Sequence, residues 1–231
     1  GYCDIDDSNL VAKGETRVAD HGYGFFSNCG SHTTPKLVIG SHSDANGDYI
    51  MDDAAELLAV SGETIVGRLG AGRLEQWAGL HDVNTLVIAG DPGPDRGHES
   101  VGRYDLHRGE LRSFVTYLGQ EGEGVFNQTG GGGAIHRATH LLLGNTGFHL
   151  GNASGTYNLG GTGNELHTYA TTVGVFGYGE FNHSGGLHSV LSNLTVGSGP
   201  EAPGVLPNRE GLYCLSGDAN LSVVGDLIVG K

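Results

Sequence analysis

Apolar residues recur along this chain at alternate positions in short runs, and each run is bounded by glycine. In Gly155-Thr156-Tyr157-Asn158-Leu159 the first, third and fifth places are small, aromatic and aliphatic, and the places between are polar. A period of two predicts a strand, with Tyr157 and Leu159 turned to a core and Thr156 and Asn158 to water. The same run stands at 102–106, 211–215 and 47–51. It returns at 1–5 with Cys3 in place of the tyrosine. Successive runs begin 46, 55, 53 and 56 residues apart.

A second run, G-x-G-x-F, lies midway, at 22–26, 122–126 and 177–181, and at 70–74 with leucine for phenylalanine. Downstream of each come glycine and then a histidine: His32, His81, His136 and His188. An apolar triplet closes each half, as in Leu37-Val38-Ile39-Gly40, Leu141-Leu142-Leu143-Gly144 and Leu194-Thr195-Val196-Gly197. The nine closing residues are Ala19, Gly40, Gly67, Gly90, Gly119, Gly144, Gly174, Gly197 and Gly230, and the steps between them alternate short and long. Each repeat of roughly 50 residues is therefore two coils, a period that belongs to stacked-repeat architectures.

Coils of this size fit the rungs of a right-handed parallel β-helix, about nine of them from about 4.5 double-rung repeats. The chain is expected to be one solenoid domain over residues 1–231, divided at 1–46, 47–101, 102–154, 155–210 and a half repeat 211–231. Phe181 should stack near Tyr157, because it holds the same place in the next rung. A β-propeller is the competing architecture, but its blades carry four antiparallel strands and do not divide into two similar halves. The stretch from Met51 to Val60 is helical by propensity. The repeat register places Leu58 and Val60 on a strand, and the register is taken to prevail.

Composition supports this frame. Glycine supplies 43 of 231 residues without a Gly-X-Y period, and proline only 6, which excludes collagen. So much glycine in a patterned chain implies many tight turns. The formal charge is −14, the wrong sign for a nucleic-acid partner. No apolar stretch reaches the ~18 residues of a membrane span, so no membrane insertion is expected. Cys3, Cys29 and Cys214 lack the close spacing of a zinc site.

The candidate chemistry is sparse. The four recurrent histidines are expected along one edge, about 9.6 Å apart at twice the rung spacing, too far to share a metal. They read as polar residues beside a turn, or as a pH-responsive surface. Asp4, Asp6 and Asp7, and again Asp44, Asp48, Asp52 and Asp53, offer hard oxygen ligands that suit Ca²⁺ or simply solvated turns. Beyond that cation no cofactor, no metal site and no catalytic residue is expected. Asp91, Asp95, Arg96 and His98 form the one Arg-carboxylate group weighed for catalysis, and Trp77 and Tyr178 the aromatics weighed for stacking on a glycan. Glycosylation sequons stand at Asn127, Asn152, Asn182, Asn193 and Asn220. A bridge between Cys3 and Cys214 would join the two ends. Register turns Cys3 inward and Cys214 outward, however, and Cys3 with Cys29 is the alternative.

The combined pattern, G-x-Y-x-L, then V-G, then G-x-G-x-F-x-[QH]-[ST]-G-G, then L-x-[LV]-G, resembles the repeats of large bacterial surface proteins. These are the autotransporter-type β-helix repeats and related repeats of exported, surface-sorted proteins. Residues 102–197 carry the resemblance closely, the remainder more loosely. It implies a β-helical passenger or surface fibre and brings no catalytic residue with it.

A solenoid has two open ends, and no polar cap is visible here. Gly1, Tyr2, Ile5, Tyr213, Leu215, Ile228 and Val229 are therefore the expected assembly ends. The expected role is a prokaryotic, extracellular structural protein of the cell surface, not an enzyme, whose partner is itself in a filament of end-to-end copies. A glycan-binding adhesin or passenger module is the alternative, with surface glycans as partner. A polysaccharide lyase or hydrolase stands behind that.

Overall fold

The computed structural model describes residues 1–90, 100–144, 153–197 and 210–230. Every element among them is a strand, and the strands form two parallel sheets. The first sheet runs β1 (Tyr2–Ile5), β4 (Tyr23–Asn28), β6 (Asn46–Met51), β8 (Ala71–Gln76), β10 (Val101–Leu106), β12 (Glu123–Gln128), β14 (Ser154–Leu159), β16 (Tyr178–His183) and β19 (Gly211–Leu215). The second runs β2 (Asn9–Val11), β5 (Ser31–Ile39), β7 (Leu57–Val66), β9 (Leu80–Ile88), β11 (Glu110–Leu118), β13 (Ile135–Leu143), β15 (Glu165–Val173), β17 (Leu187–Val190) and β20 (Asn220–Val223). In the outer layers that strand is completed by a short second piece: β3 (Thr16–Val18), β18 (Leu194–Val196) and β21 (Leu227–Val229).

The chain alternates between the sheets, so each first-sheet strand and the second-sheet strand after it make one layer. There are nine such layers among the described residues. Parallel pairing of each layer on the one before rules out the antiparallel blades of a propeller. The register keeps like on like: Phe26 on Tyr49, Tyr49 on Leu74, Leu74 on Tyr104, Phe126 on Tyr157 and Tyr157 on Phe181. The rings stack as expected, with centroids 4.9 Å apart for Tyr157 and Phe181 and 4.6 Å for Phe181 and Tyr213. Tyr49, Tyr104, Phe126, Tyr157 and Phe181 are fully buried. Each ring pair adds ~0.5–1.5 kcal/mol beyond the area it buries.

The strand–turn junction explains the glycine content. At eight of the nine closing positions the residue read from the sequence is glycine with positive φ, such as Gly119 at +64°, and at the remaining one Ala19 adopts +58°. Two residues before each core ring, the inward place is glycine because the closing turn passes directly over it. A Cβ on Gly124 would lie 2.4 Å from the backbone nitrogen of Gly119. One boundary needs correction. The residue that follows the Leu86-Val87-Ile88 triplet is Ala89, at φ +61°, and its amide makes the bond to Val66 that closing residues make elsewhere. Gly90 is the next residue and has its own positive φ, +134°.

Register also prevails over propensity at Met51 to Val60. The aspartates make one tight turn, closed by the Ala55 amide on the Asp52 carbonyl at 2.9 Å, and β7 follows. Leu58 and Val60 are buried on that strand.

Candidate functional site

The recurrent histidines are not on an edge. His32, His81, His136 and His188 are fully buried, on the inner face of the second sheet. Their column alternates with leucine from layer to layer: Leu10, His32, Leu58, His81, Leu111, His136, Leu166, His188, Leu221. A polar residue sealed this way needs partners on both ring nitrogens. The core supplies them, and this corrects the expectation of a solvated, pH-responsive row.

Each histidine is the centre of a clamp across three layers. Nδ1 of His136 pairs with the Tyr157 hydroxyl of the layer after, at 3.0 Å. Its Nε2 lies 3.4 Å from the Thr116 hydroxyl of the layer before. The Tyr157 hydroxyl donates to Oε1 of Gln128, in the histidine's own layer, at 2.7 Å. His81 repeats the arrangement with Tyr104 at 2.9 Å, Thr64 at 3.1 Å and Gln76 behind the tyrosine at 2.7 Å. His32 joins Tyr49 and Thr16, and His188 joins Tyr213 and Thr171, with His183 in the place of the glutamine. Burial drives the histidine pKa values down, to about 4 for His32 and about 3 for His81, His136 and His188. The same burial pushes the Tyr104 and Tyr157 hydroxyls well above their ordinary range. These groups stay neutral at physiological pH, so the clamps are structural.

The outer face of the first sheet carries a second ladder. Glu75 and Asp105 are register partners in adjacent layers, each two residues after an arginine. Asp105 accepts from Arg103 at 2.8 Å, from Arg73 at 3.3 Å and from the Asn127 amide at 2.7 Å, while Arg73 also pairs with Glu75. Burial alone would raise the Asp105 pKa, but these donors outweigh it and hold it below the usual carboxylate value. A carboxylate so paired stays ionised and is a poor general acid. The signal was readable as R-x-[DE] at 73–75 and 103–105, and sequence reasoning missed it. Trp77 donates to Glu75 at 3.2 Å and stacks on His107 at 3.8 Å, and Tyr178 donates to Glu180 at 3.0 Å. Asp91, Asp95, Arg96 and His98 lie outside the described residues.

The ladder continues through Asn127, Asn158 and Asn182. Nδ2 of Asn158 donates to Asn127 at 2.8 Å, and Nδ2 of Asn182 to Asn158 at 3.1 Å. The sequon amides at Asn127 and Asn182 are thus donors within the sheet. Asn193 accepts from the Asp226 amide, Asn220 is exposed, and Asn152 lies outside the described residues. Cys3 and Cys214 are exposed, Cys29 is partly so, and all three are free thiols. Register puts Cys3 in the aromatic column, opposite Phe26, and Cys214 in the asparagine ladder, opposite Asn182. The aspartates grouped by sequence are spread out: Asp44 meets His21, Asp48 accepts from Tyr23, and Asp52 accepts from the amide of its own turn.

A third feature went unnoticed in the sequence. At the bend of the second sheet Phe114 and Tyr169 are 57% and 53% exposed, and both make edge contacts with His140 between them. A groove beside Phe114 is lined by Asp82, Asn84 and Arg112. Against protein-family models, curated proteins and solved structures, nothing matches this chain.

Proposed function

We propose that the two sheets close into one right-handed parallel β-solenoid of nine rungs, and that this rod is a structural element of a cell surface whose copies join end to end. Right-handedness is supported by the parallel crossovers, which take that hand in about 98% of cases. The core shared by both sheets supports closure. Nine rungs at about 4.8 Å give a rod of about 43 Å.

The observation that carries the reading is the chemistry of the two outermost layers. Threonine holds the clamp position in layers 1, 3, 5 and 7, as Thr16, Thr64, Thr116 and Thr171. In layer 9 the same column carries Leu227, which cannot serve another histidine. In layer 1 Cys3 replaces the tyrosine that an earlier histidine would need. Both outermost described layers expose apolar side chains, Tyr2 at 72% and Val11 at 68% on the first. Leu215, Leu227 and Val229 are 54%, 59% and 72% exposed on the last. Strand edges with such faces pair readily with another chain, and a head-to-tail contact of this kind builds an open filament.

Electron microscopy of the purified chain at neutral pH tests the reading. Long unbranched fibres that disperse with Leu215→Lys or Val229→Lys support it. Monodisperse short rods at all concentrations overturn it.

A second reading, glycan binding, is favoured by the ledge of exposed Phe114 and Tyr169 with half-buried His140 between them, since aromatic faces are the usual platform for sugar rings. A glycan screen in which Phe114→Ala and Tyr169→Ala both abolish binding would establish it, and a screen without hits would remove it.

A further inference from the structure

We propose that Asp20, His21 and His42 form a binding site for a divalent transition metal of the zinc class, at the outer corner where two successive turns stack. The sequence reading weighed only Ca²⁺, on aspartates alone, and neither the filament nor the glycan reading uses these residues.

Backbone geometry brings the three together. His21 is the second residue after the closing residue Ala19, and His42 the second after Gly40, so both hold the same place in adjacent turns. The turns are pinned by main-chain bonds: the Gly40 amide on the Val18 carbonyl at 2.9 Å, Ser41 on Ala19 at 3.0 Å, and Asn46 on Gly22 at 2.8 Å. The imidazoles are thereby stacked, with centroids 4.0 Å apart and planes 10° from parallel. One ligand atom from each of Asp20, His21 and His42 lies within 4.8 Å of the others. A tetrahedral zinc with bonds of about 2.0–2.1 Å separates its ligand atoms by about 3.3 Å. Side-chain rotations of these exposed residues, which splay the two stacked rings so that their nitrogens converge, close that gap.

The donor set selects the metal. Two imidazoles with one carboxylate suit Zn²⁺, Co²⁺, Ni²⁺ or Cu²⁺, whereas Ca²⁺ and Mg²⁺ require oxygen ligands throughout. Asp44 supplies the outer support such sites use. Its Oδ1 lies 2.8 Å from Nδ1 of His21, which fixes that ring and leaves Nε2 for the metal. Arg17 competes, because its guanidinium donates to Asp20 at 3.0 Å. A metal must share that carboxylate with Arg17 or displace it. Three protein ligands leave a fourth position for water. Bound there, the metal would staple the corner of the first three layers.

Calorimetric titration of the metal-stripped full chain with Zn²⁺, and absorption spectroscopy with Co²⁺, provide the test. The expected result is one ion per chain with the visible spectrum of a four-coordinate cobalt site. His21→Ala and His42→Ala should each weaken binding at least about tenfold, and Asp44→Asn by about tenfold through the outer shell. His167→Ala, half-buried on β15, should leave it unchanged. His21, His42 and Asp44 are exposed turn positions, and circular dichroism of the metal-free variants confirms that each is folded. A rise in the melting temperature of the unaltered chain with Zn²⁺, reversed by a chelator, gives a second readout independent of the variants. Absence of stoichiometric binding, or binding that persists in the His21→Ala/His42→Ala double variant, overturns the proposal.

Discussion

His136 on a strand and His42 in a turn both belong to sets of histidines repeated along the stack, and they serve it in opposite ways. His136 is sealed between layers, bonded to Tyr157 and Thr116, with its pKa driven down to about 3 by burial. His42 sits at a turn tip with 46% of its side chain exposed, stacked on His21 and near a carboxylate. The first uses both ring nitrogens to order three layers and has no valence left for a ligand. The second keeps its ring where an ion can reach it. In a layered protein of this kind, a place on the inner face of a strand makes a repeated polar residue structural, and a place at a turn leaves it free for chemistry.

Acid should break the comparison most visibly. The four buried histidines have folded pKa values of about 3 to 4, below the unfolded value of 6.5. The unfolded chain therefore takes up protons that the folded chain refuses. The stability at stake is fully present above about pH 6.5 and falls as the pH drops toward 4 and 3. Four such groups together give a slope of about 5 kcal/mol per pH unit, an upper bound. Denaturant unfolding at a series of pH values should show this steep loss below pH 6.5. A stability profile flat between pH 7 and pH 5 would count against the sealed clamps.

Next in size is His136→Ala. It leaves a cavity and strips partners from Tyr157 and Thr116, so the cost should be ~3–5 kcal/mol by urea unfolding. Smaller is the replacement of one whole clamp, His81→Leu, Gln76→Leu, Tyr104→Phe and Thr64→Val together. Neighbouring layers already carry Leu58, Leu106 and Phe126 in those columns. The clamp partners leave together, and only the Gly79 and Glu110 carbonyls lose a donor, the Gln76 amide, with Gly79 still accepting from the Glu110 amide. The change at neutral pH should stay within about 2 kcal/mol, and the acid slope should fall by about a quarter. Smallest is His42→Ala in the absence of metal, expected within about 0.5 kcal/mol.

Much of this fold was readable from the sequence, because a parallel stack repeats its constraints in register. The G-x-Y and G-x-G-x-F runs marked the first-sheet strands, and eight of the nine closing residues fell where the turns are. The ninth slipped by one because alanine, at Ala89, took a conformation that glycine holds in most other layers. The histidine column was found but placed on the wrong side. The missed signal was the register itself: Leu58, Leu111 and Leu166 occupy the same place in alternate layers, and a place shared with leucine is a core place. The clamps could not be foreseen, since Thr116, Gln128, His136 and Tyr157 meet only across layers. The corner of Asp20, His21 and His42 was readable in principle, because both histidines follow a closing residue by two. The ledge of Phe114 and Tyr169 depends on the bend of the second sheet, which residue spacing does not reveal.

The most direct test of the sealed interior is a titration of the His32, His81, His136 and His188 rings by nuclear magnetic resonance in the folded protein. All four should remain neutral from neutral pH down to about pH 5, with Nδ1 of each ring held to its tyrosine. Protonation of any of them near pH 6.5 with the fold intact would contradict the account, because that ring would then be open to water and free for chemistry.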